Sequence, residues 1–506
     1  MVKLTQNIGV LIQKNFRRLG EQFYTPEEIF NESKNPGWPG DWQGRILLAL
    51  YSHYMLSGKK PEYLDQYLSE LESHLNIYSY FGEPIKVDSI NEQQLAGNSW
   101  YLRFLCLWYQ DTKDEHVLNL LRNLVNNLFI PIYDYLDSYP IVFNKQSDGS
   151  FGGTLRSSNK NFLFSTDTGC IYIALDGLAH AYSILKDENL LKLINKMSNN
   201  YFNTDVVKYE FQTHATLTAL RGVIELYENN QDKELLMKIE DRFDDYIKYG
   251  MTLNYSNYNW FNRKNTWTEP CAIIDSFIIA KKLYIITKKV DYLDLAYRIL
   301  YNSILFAGRE NGGFGCDKCC TGDSPQLKAI TESYEAYWCC TMRGGEFCRE
   351  VSDLVNKNDI IMALPGIYDF NGNHIEISGE YPYKNTLIIK GYTKDEVTLN
   401  LPTSNFTIID SNAKKNGNKI VLNKNDSIYM SITFDIKIVE RIVDNVDVLD
   451  YGIIRLIKDE SQNISEYEYT YDGIKYTNIP RAFLYNKENV LNFNIYVKRG
   501  GHDEKK

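Results

Sequence analysis

A chain of 506 residues with a formal net charge of −10 does not suit nucleic acid or anionic membranes, because no stretch clusters Lys and Arg as a phosphate-tracking surface must. Its nine cysteines are odd in number and spread through a long chain, which excludes a small disulfide scaffold. Neither the N-terminal "MVKLTQNIGVLIQKNF" nor any later run is apolar over enough residues for a signal-peptide core or a bilayer span. The expectation is a cytoplasmic protein with reduced thiols and no membrane or nucleic-acid partner. A hydrophobic share of 44% supports large cores, in about three domains by length. The 39 tyrosines could stack on sugars, but they also match a general bias toward Tyr, Asn, Ile and Lys.

In chain order, the first pattern is a repeat. Five segments read as a helix ending in an aromatic, a short polar turn and a second amphipathic helix. They are "LALYSHYMLSGKKPEYLDQYL", "LCLWYQDTKDEHVLNLLRNLV", "LAHAYSILKDENLLKLINKM", "VIELYENNQDKELLMKIEDRF" and "KKLYIITKKVDYLDLAYRIL". Their turn-side tyrosines are Tyr54, Tyr109, Tyr182, Tyr227 and Tyr284. A sixth, weaker copy is "FCREVSDLVNKND". Six hairpins at uneven spacing predict a closed (α/α)6 toroid over residues 1–359 rather than an open solenoid.

From residue 360 the apolar period shortens to two. "HIEISG", "NTLIIKGY", "EVTLNLP", "FTIID", "NKIVLNK", "SIYMSITFDIKIV" and "YGIIRLIKD" alternate or run apolar between turns such as "KKNGNK", predicting an antiparallel β-sandwich domain over 360–506. The final "GHDEKK" reads as a frayed tail. No Gly, Ser or Pro linker separates the two parts, so they should pack firmly together.

Chemistry concentrates in cysteines. "YWCCTMRGG" sets Cys339 beside Cys340, "TWTEPCAIID" carries Glu269 and Cys271, and "GCDKCC" carries Cys316, Cys319 and Cys320. Clustered thiols with a carboxylate suggest zinc, which takes about four ligands and favours thiolates. Two sites are open: a mixed one from Glu269, Cys271, Cys339 and Cys340, or an all-cysteine one from Cys316, Cys319 or Cys320 with the later pair. In Glu-x-Cys, residues two apart share a face of an extended segment. Cys106 and Cys348 stand alone and read as small core hydrophobes.

The order "TEPCAIIDSF", "YLDLAYRILYNSIL", "YWCC", "YPYKNTLIIK", "VTLNLPTS" and "LDYGIIRL" resembles glycoside hydrolase family 127, the β-L-arabinofuranosidases and their relatives. "AGNSWYLRFLCLWY" and "THATLTALRGVIELYE" sit where that family has helical hairpins. The resemblance spans most of the chain and implies an (α/α)6 barrel followed by β domains. It further implies a retaining glycosidase for a terminal furanoside, with Glu269, Cys271, Cys339 and Cys340 as zinc ligands, Cys339 doubling as the nucleophile, and His214 contacting substrate.

The sequence also departs from that family. Its acid/base glutamate precedes the Glu-x-Cys motif, where this chain has "YGMTLNYSNYNWFNRKNT", without an acidic residue. A retaining glycosidase needs such a group to protonate the departing oxygen and later activate water. Glu332 and Glu335 would share a helical face with Cys339 if that segment were helical. "STDTGCIYIALDGL", with Asp167 and Cys170, replaces another family segment. Besides a glycosidase on carbohydrate, a non-catalytic carbohydrate-binding relative and a sugar lyase or isomerase are therefore open.

Overall fold

The computed structural model describes residues 1–139, 155–159, 161–411, 413–458, 467–481, 492–495 and 497–498; the predicted tail 501–506 lies outside them. Among the described residues, twelve α-helices of seven residues or more carry the first part: α1 (Gln6–Arg18), α2 (Asp41–Ser57), α3 (Leu64–Glu70), α4 (Glu92–Thr112), α5 (Glu115–Leu124), α6 (Ala174–Leu185), α7 (Glu188–Phe202), α8 (Thr213–Asn230), α9 (Lys233–Tyr249), α10 (Pro270–Thr287), α11 (Val290–Ile299) and α12 (Cys340–Ser352).

The repeated tyrosine marks how each inner helix stops. Gly58, Lys113, Lys186, Gln231 and Lys288 all take left-handed φ between 52° and 66°. Their N–H groups donate to the carbonyls of Tyr54, Tyr109, Tyr182, Tyr227 and Tyr284, the single-bond αL cap that satisfies an orphan carbonyl. Asp114, Asp187 and Asp232 then cap the returning helices with their side chains, which starts a new helix within two residues of the old one. Lys113, Lys186 and Lys288 fold back over the tyrosine rings at 5.2–5.8 Å.

Helices α2, α4, α6, α8, α10 and α12 neighbour one another in that order, and α12 returns to α2, closing the inner ring. The approach is close enough that a Cβ on Gly222 of α8 would lie 2.3 Å from the Leu175 carbonyl of α6. The outer ring is α3, α5, α7, α9, α11 and α1. The sixth hairpin thus differs from expectation. After Ser352 the chain enters a short β-hairpin, Val355–Asn356 with Asp359–Ile360, and the N-terminal helix α1 packs on α12 instead. Since every hairpin returns the chain, all six inner helices point the same way and their N-termini share one mouth of the barrel.

The C-terminal part is sheet-rich. A six-stranded antiparallel sheet runs in the order Val2–Leu4, Gly366–Phe370, Asn373–Gly379, Thr386–Thr393, Asp426–Phe434, Phe406–Ile409. The alternation read from the sequence is real here: Ile375, Ile377, Leu387, Ile389, Met430 and Ile432 turn inward. They share a hydrophobic core with Val397, Leu399, Ile420 and Leu422 of a second, five-stranded sheet and with the barrel. "SIYMSITFDIKIV" proves to be two strands, Asp426–Phe434 and Ile438–Val443, which belong to different sheets. The third sheet, from Ile438–Val443 onward, recruits Gln326–Lys328 from the helical part through Asn492–Ile495. A buried ion cluster fastens it to α11: Asp450 accepts from Arg298 at 3.0 Å and from Arg455 at 2.6 Å.

Candidate functional site

At the mouth where the inner helices begin, two N-termini face each other. Glu269 is the N-cap residue of α10, Pro270 occupies its first position and Cys271 follows; proline suits that position because its fixed φ is helical and no N–H is needed. Cys339 is the N-cap residue of α12 and Cys340 its first residue. Glu269 and Cys271 therefore converge through cap geometry, not through the strand-like alternation the sequence suggested.

The carboxylate and three sulfurs form one group, with ligand atoms all within 4.8 Å of one another. The Cys271 and Cys340 sulfurs are 3.5 Å apart, those of Cys339 and Cys340 3.4 Å. Cys271 and Cys340 are buried, while Cys339 and Glu269 keep some exposure, so the group opens to solvent on the Cys339 side. The positive helix ends favour anionic groups here. Burial opposes ionisation of Cys271, but hydrogen bonds from Cys339 and Cys340 and the charges of His214 and Arg45 hold it well below the ordinary thiol range. The contact with Cys271 raises Cys339, and burial raises Cys340. Three thiols and a carboxylate so placed could hold a metal ion.

Around the group, Arg45 of α2 points Nη1 at the Cys271 sulfur, 3.7 Å away, and pairs with Asp41 at 2.8 Å. His214, second residue of α8, lies 3.1 Å from Glu269 through Nδ1. Gln212 reaches the other Glu269 oxygen at 3.4 Å. The floor is Trp100 of α4, its ring between the guanidinium groups of Arg45 and Arg343 at 4.2 and 4.8 Å and stacked on His214. Below it a charge column fills the barrel axis. Asp275 pairs with Arg221 at 2.8 Å and with Arg343; Glu346 bridges Arg221, Arg343 and Arg103; Arg103 ends on Asp176 at 2.9 Å. Buried charges persist when they are paired with opposite charges in this way. The sequence reading missed Arg45, Trp100 and this column, whose charges look like solvated helix faces until the ring closes.

The remaining candidates separate. Among the described residues no all-cysteine site forms: Cys316 touches Cys340, Cys319 faces the Asn257 carbonyl and Thr266, and Cys320 lies in a separate small core with Leu253 and Val448. Cys106 and Cys348 are buried free thiols, as expected. Residues 331–339 form turns rather than a helix, so Glu332 is exposed and shares no helical face with Cys339. Glu335 pairs with Arg18 at 2.9 Å and accepts from Asn311 and Thr341. The 249–266 segment, which has no acidic residue, supplies Asn257, whose side-chain oxygen accepts the Glu269 N–H at 2.8 Å. Asp167 and Cys170 are buried beside Glu92, the first residue of α4. Glu92 accepts from Tyr139 and from the Ser165 N–H, and burial raises its carboxyl to about 7.

This architecture is shared with solved glycoside hydrolases. A GH127 β-arabinofuranosidase matches with a TM-score of 0.66 at 12% identity, covering 98% of this chain and 96% of its own. A second glycoside hydrolase matches at 0.62 and 11%, covering 94% and 87%. A GH127 β-L-arabinofuranosidase from Geobacillus stearothermophilus T6 matches at 0.55 and 13%, covering 92% and 81%. At such identities these show the fold. No sequence among the curated proteins matches. The sequence of residues 176–353 matches the family model described as β-L-arabinofuranosidase, GH127 catalytic domain, and that stretch contains His214, Glu269, Cys271, Cys339 and Cys340. The resemblance read from the sequence is thus borne out: residues 176–353 are similar to the catalytic domain of this family, and the fold is similar to that of its solved members. Among the described residues no helix is long and apolar enough to cross a membrane.

Proposed function

We propose that the protein is a zinc-dependent retaining glycosidase in which Cys339 is the nucleophile, acting on β-L-arabinofuranosides or a closely related terminal furanoside. The observation that carries this reading is the group of Glu269, Cys271, Cys339 and Cys340 at the mouth of a GH127-type barrel. The sulfur spacings of 3.4 and 3.5 Å fit one ion: two sulfurs each about 2.3 Å from a tetrahedral zinc stand about 3.8 Å apart. Bound there, zinc would keep the thiols deprotonated without a partner base. Its ligands would be Glu269, Cys271, Cys339 and Cys340. The nine unpaired cysteines suit a reducing, cytoplasmic setting.

Cys339 is the partly exposed thiol of the set and the one a sugar can reach. Its sulfur attacks the anomeric carbon as the glycosidic C–O bond breaks, giving a thioglycoside; water then displaces the sulfur and yields the free sugar. The first step needs a proton for the departing oxygen. Besides the ligand Glu269, the carboxylates near the thiols, Asp41 and Asp275, are tied to Arg45 and to Arg221 with Arg343, and segment 249–266, which matches the place of the family's acid, has no acidic residue. The enzyme should therefore favour leaving groups that depart as stable anions.

The test is hydrolysis of nitrophenyl β-L-arabinofuranoside by the zinc-loaded protein and by Cys339→Ala. Turnover lost by at least about 1000-fold in the variant supports the reading. A parent that binds arabinofuranosides but never cleaves them supports instead a non-catalytic carbohydrate-binding relative, which the missing acid favours.

A further inference from the structure

Both ring nitrogens of His214 face carboxylates. Nδ1 lies 3.1 Å from Glu269 Oε1, and Nε2 points at Asp275 Oδ2, 3.7 Å away, within ion-pair reach though beyond hydrogen-bond length. The ring stacks nearly parallel to Trp100, with 10° between the planes and 6.0 Å between centroids. The side chain is only 3% exposed. Its neighbours are themselves immobilised. Thr213 anchors the start of α8 through its hydroxyl on the Tyr258 carbonyl at 2.6 Å. Asp275 is held by the Thr218 hydroxyl at 2.6 Å, by Arg221 at 2.8 Å and by Arg343. Trp100 is clamped by Arg45 and Arg343.

We propose that His214 is a positioning residue: it donates from Nδ1 to Glu269 and fixes that carboxylate toward the three sulfurs, while Asp275 and Trp100 fix the imidazole. The inference rests on the metal reading above. Histidines and carboxylates standing behind ligands orient them, and their loss typically weakens metal binding by roughly 10- to 100-fold. Gln212, at 3.4 Å from the other carboxylate oxygen, is a weaker second restraint, which is why loss of His214 should loosen the ligand rather than abolish the site.

The experiment measures zinc affinity by chelator competition, with the thiolate-to-metal charge-transfer band of the cobalt(II) form as a second readout, in the parent, His214→Leu and His214→Asn. Asn places an amide donor near the position of Nδ1. The expected result is a roughly 10- to 100-fold weaker zinc affinity and a shifted cobalt band in His214→Leu, recovery of most of both in His214→Asn, and an unchanged KM for the aryl furanoside at saturating zinc. Should His214→Leu fail to fold, His214→Asn against His214→Gln carries the comparison, since Gln directs its amide toward Asp275 and should lose the affinity that Asn keeps. Parent-like zinc affinity with a raised KM in the variants would make His214 a sugar contact and overturn the inference while leaving the metal reading intact. A parent that binds no zinc overturns both.

Discussion

Cys339 and Cys340 are adjacent in sequence yet play different structural parts: Cys339 caps α12 from outside the helix and keeps some exposure, while Cys340 is its first residue and is buried. Their sulfurs still meet at 3.4 Å, because the cap residue's backbone, at φ −147° and ψ −61°, turns the chain sharply into the helix. One thiol can thus be presented to a substrate while its neighbour anchors an ion.

The first prediction is stoichiometry. Protein purified without added metal should carry about one zinc, since three thiolates and a carboxylate make a closed set. Cys271→Ser with Cys340→Ser should reduce this to background by elemental analysis, whereas Cys319→Ser, whose thiol faces Asn257 and Thr266, should retain it. Full retention in the double variant would remove the assigned ligand set.

The second concerns the leaving group. With the proposed Cys339 nucleophile and no acidic residue in segment 249–266, cleavage should depend steeply on leaving-group pKa: rapid for nitrophenolate and slower for alkyl furanosides or disaccharides by a factor on the order of the 10²–10⁴ that general acid catalysis ordinarily supplies. Equal rates on aryl and alkyl substrates, measured as kcat/KM across a leaving-group series, would reveal an acid in the mouth.

A third prediction follows from Glu92, whose burial raises its carboxyl to about 7. A folded-state pKa above the unfolded one means that the folded protein holds a proton the unfolded chain has released. This contribution to stability is full below about pH 4.5 and is lost as pH rises through about 7. Glu92→Gln should lift stability at pH 7.5 relative to pH 5, flattening the profile by an amount on the order of 2 kcal/mol. The measurement is denaturant unfolding at several pH values; a parallel profile in parent and variant would show that Glu92 ionises normally.

A fourth probes the repeat. Gly58 takes φ +66° with nothing within 4 Å of a would-be Cβ, so Gly58→Ala should cost about 1 kcal/mol from backbone strain alone. Lys113→Gly, at the equivalent turn with φ 55°, should stabilise by less, since it also removes the contact over Tyr109. Thermal unfolding checks both, and a Gly58→Ala variant as stable as the parent would show that these turns carry no strain.

Much of the fold was legible because each inner helix ends the same way. Tyr54, Tyr109, Tyr182, Tyr227 and Tyr284 each lie four residues before a left-handed cap, a local device that leaves a local signal. The sixth hairpin was misread because its outer helix, α1, comes from the opposite end of the chain, and no local pattern records a long-range pairing. Cys339 and Cys340 stood out by adjacency, and Glu269 with Cys271 by spacing. Whether Cys316 or Cys271 joined them depended on which helix ends meet. Glu335 is an acid at helical spacing on a segment that is not helical, its charge held by Arg18. The column through Asp275, Arg221 and Glu346 was invisible, because a charged residue on an amphipathic helix reads as solvated until six such helices enclose it.

The central claim is that Cys339 attacks the anomeric carbon, and the most direct test is to trap it. Zinc-loaded protein is incubated with a furanose-configured cyclitol epoxide, digested and mapped by mass spectrometry. The account predicts one adduct, on the peptide containing Cys339 and on its sulfur, absent from Cys339→Ala and suppressed by arabinose. An adduct on Glu269, Asp41 or any residue other than Cys339, or unchanged labelling in Cys339→Ala, would contradict it.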